Sequence, residues 1–157
     1  MQWTEVLASP YLRELPFKIE LNKWGQILMS PASNRHGNTQ SELVYAIRSA
    51  MPTGKIFVEC SIATSDGVKV ADVAWASDAF IARVGNVTPF PRAPELCIEV
   101  VSPSNSKGEI DHKLNLYFAH GAQEVWIAKL DGRITMYQAS LPIKKSGLVP
   151  KFKMPKL

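Results

Sequence analysis

Three side chains stand where their chemistry has to be explained: Asp72 within VKVADVAW (68–75), Glu99 within LCIEVV (96–101), and Lys113 within EIDHKLNLYFA (109–119). An ionised carboxylate moved into an apolar interior costs many kcal/mol, so it protonates, pairs or binds a cation. Each acid alone could pair with a basic side chain or face water at a strand end. Two acids on neighbouring buried strands do not readily neutralise each other, whereas a divalent ion held between them would, and hard oxygen donors suit Mg2+ or Mn2+. Lys113 is three residues from Ile110 and falls between Leu116 and Tyr117 around the helix, at the border of the apolar stripe. Its ammonium either snorkels to water or reaches the acids. In the second case the trio supplies what phosphodiester hydrolysis requires: an ion to polarise the phosphate and activate water, and a lysine for the charge that accumulates on oxygen.

These residues need elements to hold them. PFKIELNKWGQILMS (16–30) reads as two strands around a turn at Asn22 to Gly25. Leu43, Ile47, Ala50 and Met51 recur at helical spacing, which predicts a helix over about 39–51, with Ser33, Asn34, Asn38 or Thr39 available as caps. KIFVECSI (55–62) and VKVADVAW predict a hairpin around Ser65, Asp66 and Gly67, and a helical turn follows at 78–84. After the proline-rich TPFPRAP come a strand at 95–101, a helix at 109–119 ending at Gly121, and strands at 124–129 and 133–138. This order predicts an α/β sandwich around a mixed sheet, with the strand, helix, strand unit from 95 to 129 as its parallel part. Period-two alternation puts Asp72 on a face with Val68, Val70 and Ala74, and Glu99 with Glu95, Cys97 and Val101.

KVADVAWA, PELCIEVVSPSNS, a helix bearing DHKLNLY, and then GAQEVWIAK together resemble the Uma-type restriction endonuclease family, within the PD-(D/E)xK phosphodiesterase superfamily. The resemblance runs from about residue 20 to 138. It implies a restriction-endonuclease-like core, a central mixed β-sheet flanked by α-helices with an added N-terminal β-hairpin. It further implies a metal-dependent enzyme cutting DNA, with Asp72 and Glu99 as metal carboxylates, the Val100 carbonyl as a third ligand, and Mg2+ or Mn2+ as cofactor. Val101 stands where the wider superfamily has its lysine, and Lys113 matches the substitute on the next helix. Ala71 stands in place of the usual proline before the first acid. The first helix of the superfamily often adds a polar group, which nominates His36, Gln40 and Glu42; His36 could equally bond loop backbone, and Gln40 could cap the helix. Cutting both strands of a duplex calls for a homodimer. A member of the same fold that binds nucleic acid or a protein partner without cleavage is the alternative.

The rest of the chain narrows the field. Its 157 residues make one domain, 46% hydrophobic and 20% charged. The expected division is a single endonuclease-like domain over 1–142 and a basic tail over 143–157, which holds five lysines and no acid. Without that tail the balance is 13 basic to 14 acidic side chains. The tail suits a phosphate backbone, an acidic surface or mere solubility. Cys60 and Cys97 stand alone in apolar segments and are expected in the core, not in a disulfide or zinc site. The N-terminal MQWTEVLASPYLREL fits neither a secretory signal nor a membrane span, so a cytoplasmic protein without membrane association is expected. Ser102, Ser104 and Asn105 are expected to end a strand and cap the next helix; His112 and His120 are expected at the surface, and Trp126 in packing. No GxxxxGK, GxGxxG, GxSxG or HExxH motif is present.

Overall fold

The longest strand explains the rest of the architecture. In the computed structural model, which describes residues 1–103 and 105–154, β4 runs Gly67–Ala76 and is buried from Val68 to Ala76. A strand buried on both faces needs a layer on each side. Six strands form one sheet in the order β3 (Lys55–Thr64), β4, β5 (Leu96–Val101), β6 (Glu124–Lys129), β7 (Ile134–Gln138) and β8 (Leu141–Ile143). All neighbours are antiparallel except β5 and β6. Their crossover is α4 (Lys107–Ala119), so the sheet is mixed as its sequence predicts.

Alternation sorts the side chains into two cores. On one face Ala74, Cys97, Val101, Val125 and Ile127 pack against Leu114 and Tyr117 of α4 and Phe80 of α3 (Asp78–Val84). On the other, Val73, Trp75, Ile98, Val100 and Trp126 meet Leu43 and Ile47 of α2 (Asn34–Ala50), together with Val149. The N-terminal hairpin, β1 (Phe17–Leu21) with β2 (Ile27–Pro31), is a separate antiparallel sheet. With α1 (Trp3–Ala8) it forms a third, small core of Val6, Leu21 and Val68.

Several boundaries differ from expectation, each for a local reason. Helix α2 begins five residues before the expected 39, because the Ser33 hydroxyl caps it by accepting the His36 N–H at 3.1 Å. Helix α4 begins at Lys107 through a Ser106–Glu109 capping box. Asn105 does not cap that helix; its side-chain oxygen closes the preceding turn by accepting the Ser102 N–H at 2.9 Å. Ser104 lies outside the described residues. Helix α1 and strand β8 are too short to leave a periodic signal. His112 is exposed, as expected, and bonds Asp66, whereas His120 is half-buried and accepts the Ser65 N–H.

Residues 146–152 pack on the sheet, through Val149 and through Phe152 edge-on against Trp126 at 4.7 Å between centroids. The anchor is Glu124, whose buried carboxyl accepts from Ser146 Oγ at 2.6 Å, Gly147 N at 2.7 Å, Leu148 N at 3.0 Å and Trp126 Nε1 at 2.9 Å. Replacing Glu124 with Ala leaves four donors without their acceptor. Urea unfolding is expected to show a loss of roughly 2–4 kcal/mol, with hydrogen exchange rising first at residues 146–149.

Candidate active site

A fork in the sheet brings the two acids together. Strands β4 and β5 pair only at Val73↔Ile98, Ala74↔Cys97 and Trp75↔Leu96. One register step further, where the ladder has ended, Asp72 comes opposite Glu99 on the α4 side. There the Asp72 carboxylate takes over from the ladder, Oδ2 accepting the Val100 N–H at 2.6 Å. On its other flank Asp72 comes opposite Glu59, the one position left unpaired between Val58↔Val73 and Cys60↔Ala71 in an otherwise unbroken β3–β4 register. Glu59 sits at φ 53°, in the left-handed region where side chains other than glycine's are strained. Gln40 steadies this flank, its amide donating to Glu59 Oε1 at 2.7 Å and to the Asp72 carbonyl at 3.3 Å.

Two lysines thread the carboxylates. Lys18 of β1 donates to Asp72 Oδ1 at 2.7 Å and to Glu99 Oε2 at 3.4 Å. Lys113 of α4 donates to the same Glu99 oxygen at 3.2 Å and to Glu20 Oε1 at 2.7 Å. The Tyr117 hydroxyl donates to Glu99 Oε1 at 2.6 Å, and His36 Nε2 lies 3.3 Å from Asp72 Oδ1. The side chains of Asp72 and Glu99 are only 1% and 7% exposed, so these contacts act in a poorly screened interior.

The protonation equilibria follow from this crowding. Burial pushes the Asp72 carboxyl up, but Lys18, His36 and the Val100 N–H outweigh it and hold the group well below the usual carboxylate range. At Glu99 burial wins: Lys113 and Lys18 pull down, Asp72 and Glu20 push up, and the carboxyl titrates above its ordinary value. Burial works against the Lys18 ammonium, yet the charges of Glu99, Asp72 and Glu20 raise its pKa further. The hydrogen bond to Asp72 raises His36 against the effect of its burial. Burial pushes the thiol of Cys60, the chain neighbour of Glu59, up to about 12.

The donor set fits a divalent ion. His36 Nε2 and carboxylate oxygens of Glu59 and Asp72 all lie within 4.8 Å of one another, and Glu99 faces Asp72 across the fork. Carboxylate oxygens suit hard divalent ions such as Mg2+ and Mn2+.

Of the residues the sequence nominates, Asp72, Glu99, Lys113, His36 and Gln40 converge here. Val100 meets the site through its N–H bond to Asp72. Glu42, half-buried on the flank of α2, takes no part in these contacts. Lys18, Glu20, Glu59 and Tyr117 escape the reading of the sequence. Glu59 carries the same signal as Glu99, an acid inside an apolar strand, and Tyr117 is one helical turn beyond Lys113. Lys18 and Glu20 alternate with Phe17, Ile19 and Leu21, a pattern that marks a shared face but not its direction.

A family model described as Uma2, putative restriction endonuclease, matches residues 3–142. The chain belongs to the Uma2 family. A solved structure of a putative nuclease belonging to DUF820 from Anabaena variabilis shares its fold with this Uma2 chain, at a TM-score of 0.63 and 22% identity over 76% of this chain and 71% of that one. No curated protein matches the chain. The family supports a nuclease-like function, and no helix among the described residues is long and apolar enough to cross a membrane.

His36 gives the site a pH signature. Its folded pKa lies above 6.5, so the stability from the His36–Asp72 pair is complete below 6.5 and is lost as pH rises through the higher folded value. In chelator, the melting temperature of the wild type is expected to fall relative to that of His36→Gln as the pH is raised above 6.5. Parallel profiles would contradict the assignment.

Proposed function

We propose that this chain is a metal-dependent endonuclease that hydrolyses DNA phosphodiester bonds. The observation that carries the reading is the opposition of Asp72 and Glu99 at the end of the β4–β5 ladder, with the Lys113 ammonium 3.2 Å from Glu99. Asp72, Glu99 and the Val100 carbonyl would hold Mg2+ or Mn2+, with His36 and Glu59 on the far side of Asp72. The chemistry such an ion supplies when bound is charge stabilisation at the scissile phosphate and a water of lowered pKa.

The chain's own groups do the remainder. The Val100 N–H fixes the rotamer of Asp72, and the Tyr117 hydroxyl fixes that of Glu99, so the oxygens stay aimed into the fork. Gln40 pins Glu59. Lys113, carried on a packed helix, presents its ammonium to the phosphate oxygens as charge builds there. Exposed Lys144, Lys145, Lys151 and Lys153 lie beyond residue 142, on a segment held to the domain by Val149 and Phe152, and would add phosphate contacts to a nuclease domain spanning 1–142. A homodimer would present one such site to each strand of a duplex in the cytoplasm.

Supercoiled plasmid with Mg2+ or Mn2+ tests the reading. The wild type is expected to nick it, Asp72→Ala to abolish metal-dependent nicking, and Lys113→Ala to slow it by about a hundredfold or more, with DNA retention in gel shift unchanged. A wild type that retains DNA but never nicks it would replace this reading with that of a non-cleaving nucleic-acid-binding protein.

A further inference from the structure

Lys18 belongs to neither the sequence motif nor the six-stranded sheet, yet its ammonium occupies the middle of the fork. It bonds the Asp72 oxygen that faces His36 and the Glu99 oxygen that faces Lys113. A divalent ion shared by Asp72 and Glu99 needs those same oxygens. An ammonium that bridges Asp72 and Glu99 and a divalent ion shared by the same two oxygens would occupy one position between the acids, so each excludes the other.

We propose that Lys18 is a tethered competitor for the metal: it neutralises the Asp72–Glu99 pair until a divalent ion displaces it, and so sets the metal concentration at which the site loads. This rests on the metal-dependent reading given above. Two observations carry it. First, the position is held, since β1 is tied to β4 just after Lys18: Glu20 accepts the Val70 N–H at 2.7 Å, and Lys69 donates to the Leu21 carbonyl at 3.2 Å. Second, the ammonium has somewhere to go. Lys18 lines a cleft of about 390 Å³ with Arg13, Glu59, Ser61 and Thr88, so rotation of a flexible side chain suffices and the hairpin stays in place. Lys113 does not play this part. It bonds Glu20 and Glu99 but not Asp72, and can remain when Lys18 leaves.

The test reads metal binding, not cleavage. Free Mn2+ is followed by electron paramagnetic resonance while it is titrated into wild type, Lys18→Met, Lys18→Gln, Lys18→Arg and Asp72→Asn. Both neutral variants are expected to bind Mn2+ about tenfold tighter or more, and the arginine variant to bind like the wild type. Melting temperatures add a readout that survives poor folding. Without metal the neutral variants melt lower than the wild type, because Asp72 and Glu99 have lost their counter-charge. Their gain on adding Mn2+ should exceed the wild type's. Unchanged or weaker Mn2+ binding in both neutral variants, with wild-type binding still lost in Asp72→Asn, would overturn the role of Lys18 and leave the metal site standing. Absence of Mn2+ binding in every variant would overturn both.

Discussion

Asp72, Lys18, Glu99, Lys113 and Glu20 form one line of alternating charge, each ammonium bonded to the carboxylate on either side of it and the last carboxylate bonded to the Val70 N–H. The line ties the N-terminal hairpin, both strands of the fork and the crossover helix to a single electrostatic centre. Burying these groups is costly, and removing any one member would leave its neighbours buried without a counter-charge. Such an arrangement contributes little to stability for its expense in desolvation. It does bring acidic oxygens into close apposition within a region that water penetrates poorly, which is the condition under which a divalent cation is held and a phosphate is polarised.

The sheet supplies the geometry. If β4 and β5 paired along their full length, Asp72 and Glu99 would be ordinary cross-strand neighbours spending their hydrogen bonds elsewhere. Because the ladder ends at Val73↔Ile98, the Val100 N–H is free to take the Asp72 carboxylate and the opposing acids project from the point of divergence. The hairpin then covers the stretch of β4 that β5 has abandoned, with Glu20 accepting the Val70 N–H. The same displacement delivers Lys18. Fold and site are therefore consequences of one another: the strand edge that must be covered is covered by the element that brings the extra cation.

Much of this was legible in the residues. Alternation in β4 and β5 identifies the faces of Asp72 and Glu99, whereas the apolar border on which Lys113 sits leaves both an inward reach and an escape to water open. The resemblance to the family rested on those same segments, and the family model extends it across residues 3–142. What stayed hidden depends on long-range register. Nothing local to Phe17–Leu21 says that its charged face meets β4, 50 residues away between Glu20 and Val70. Nor does KIFVECSI announce that Glu59 adopts a left-handed backbone conformation opposite Asp72. The expectation that the acids require a divalent ion to coexist also changes: two lysines already make them tolerable, so charge neutrality no longer demands a metal, and the case for one rests on donor geometry.

A crystal grown with Mn2+ and measured at the manganese absorption edge addresses that geometry directly. The account predicts an anomalous peak in the fork bonded to Asp72 and Glu99, with the Lys18 ammonium withdrawn and Lys113 still on Glu99. A fork with no peak, in which Lys18 remains bonded to both acids at saturating Mn2+, would contradict it.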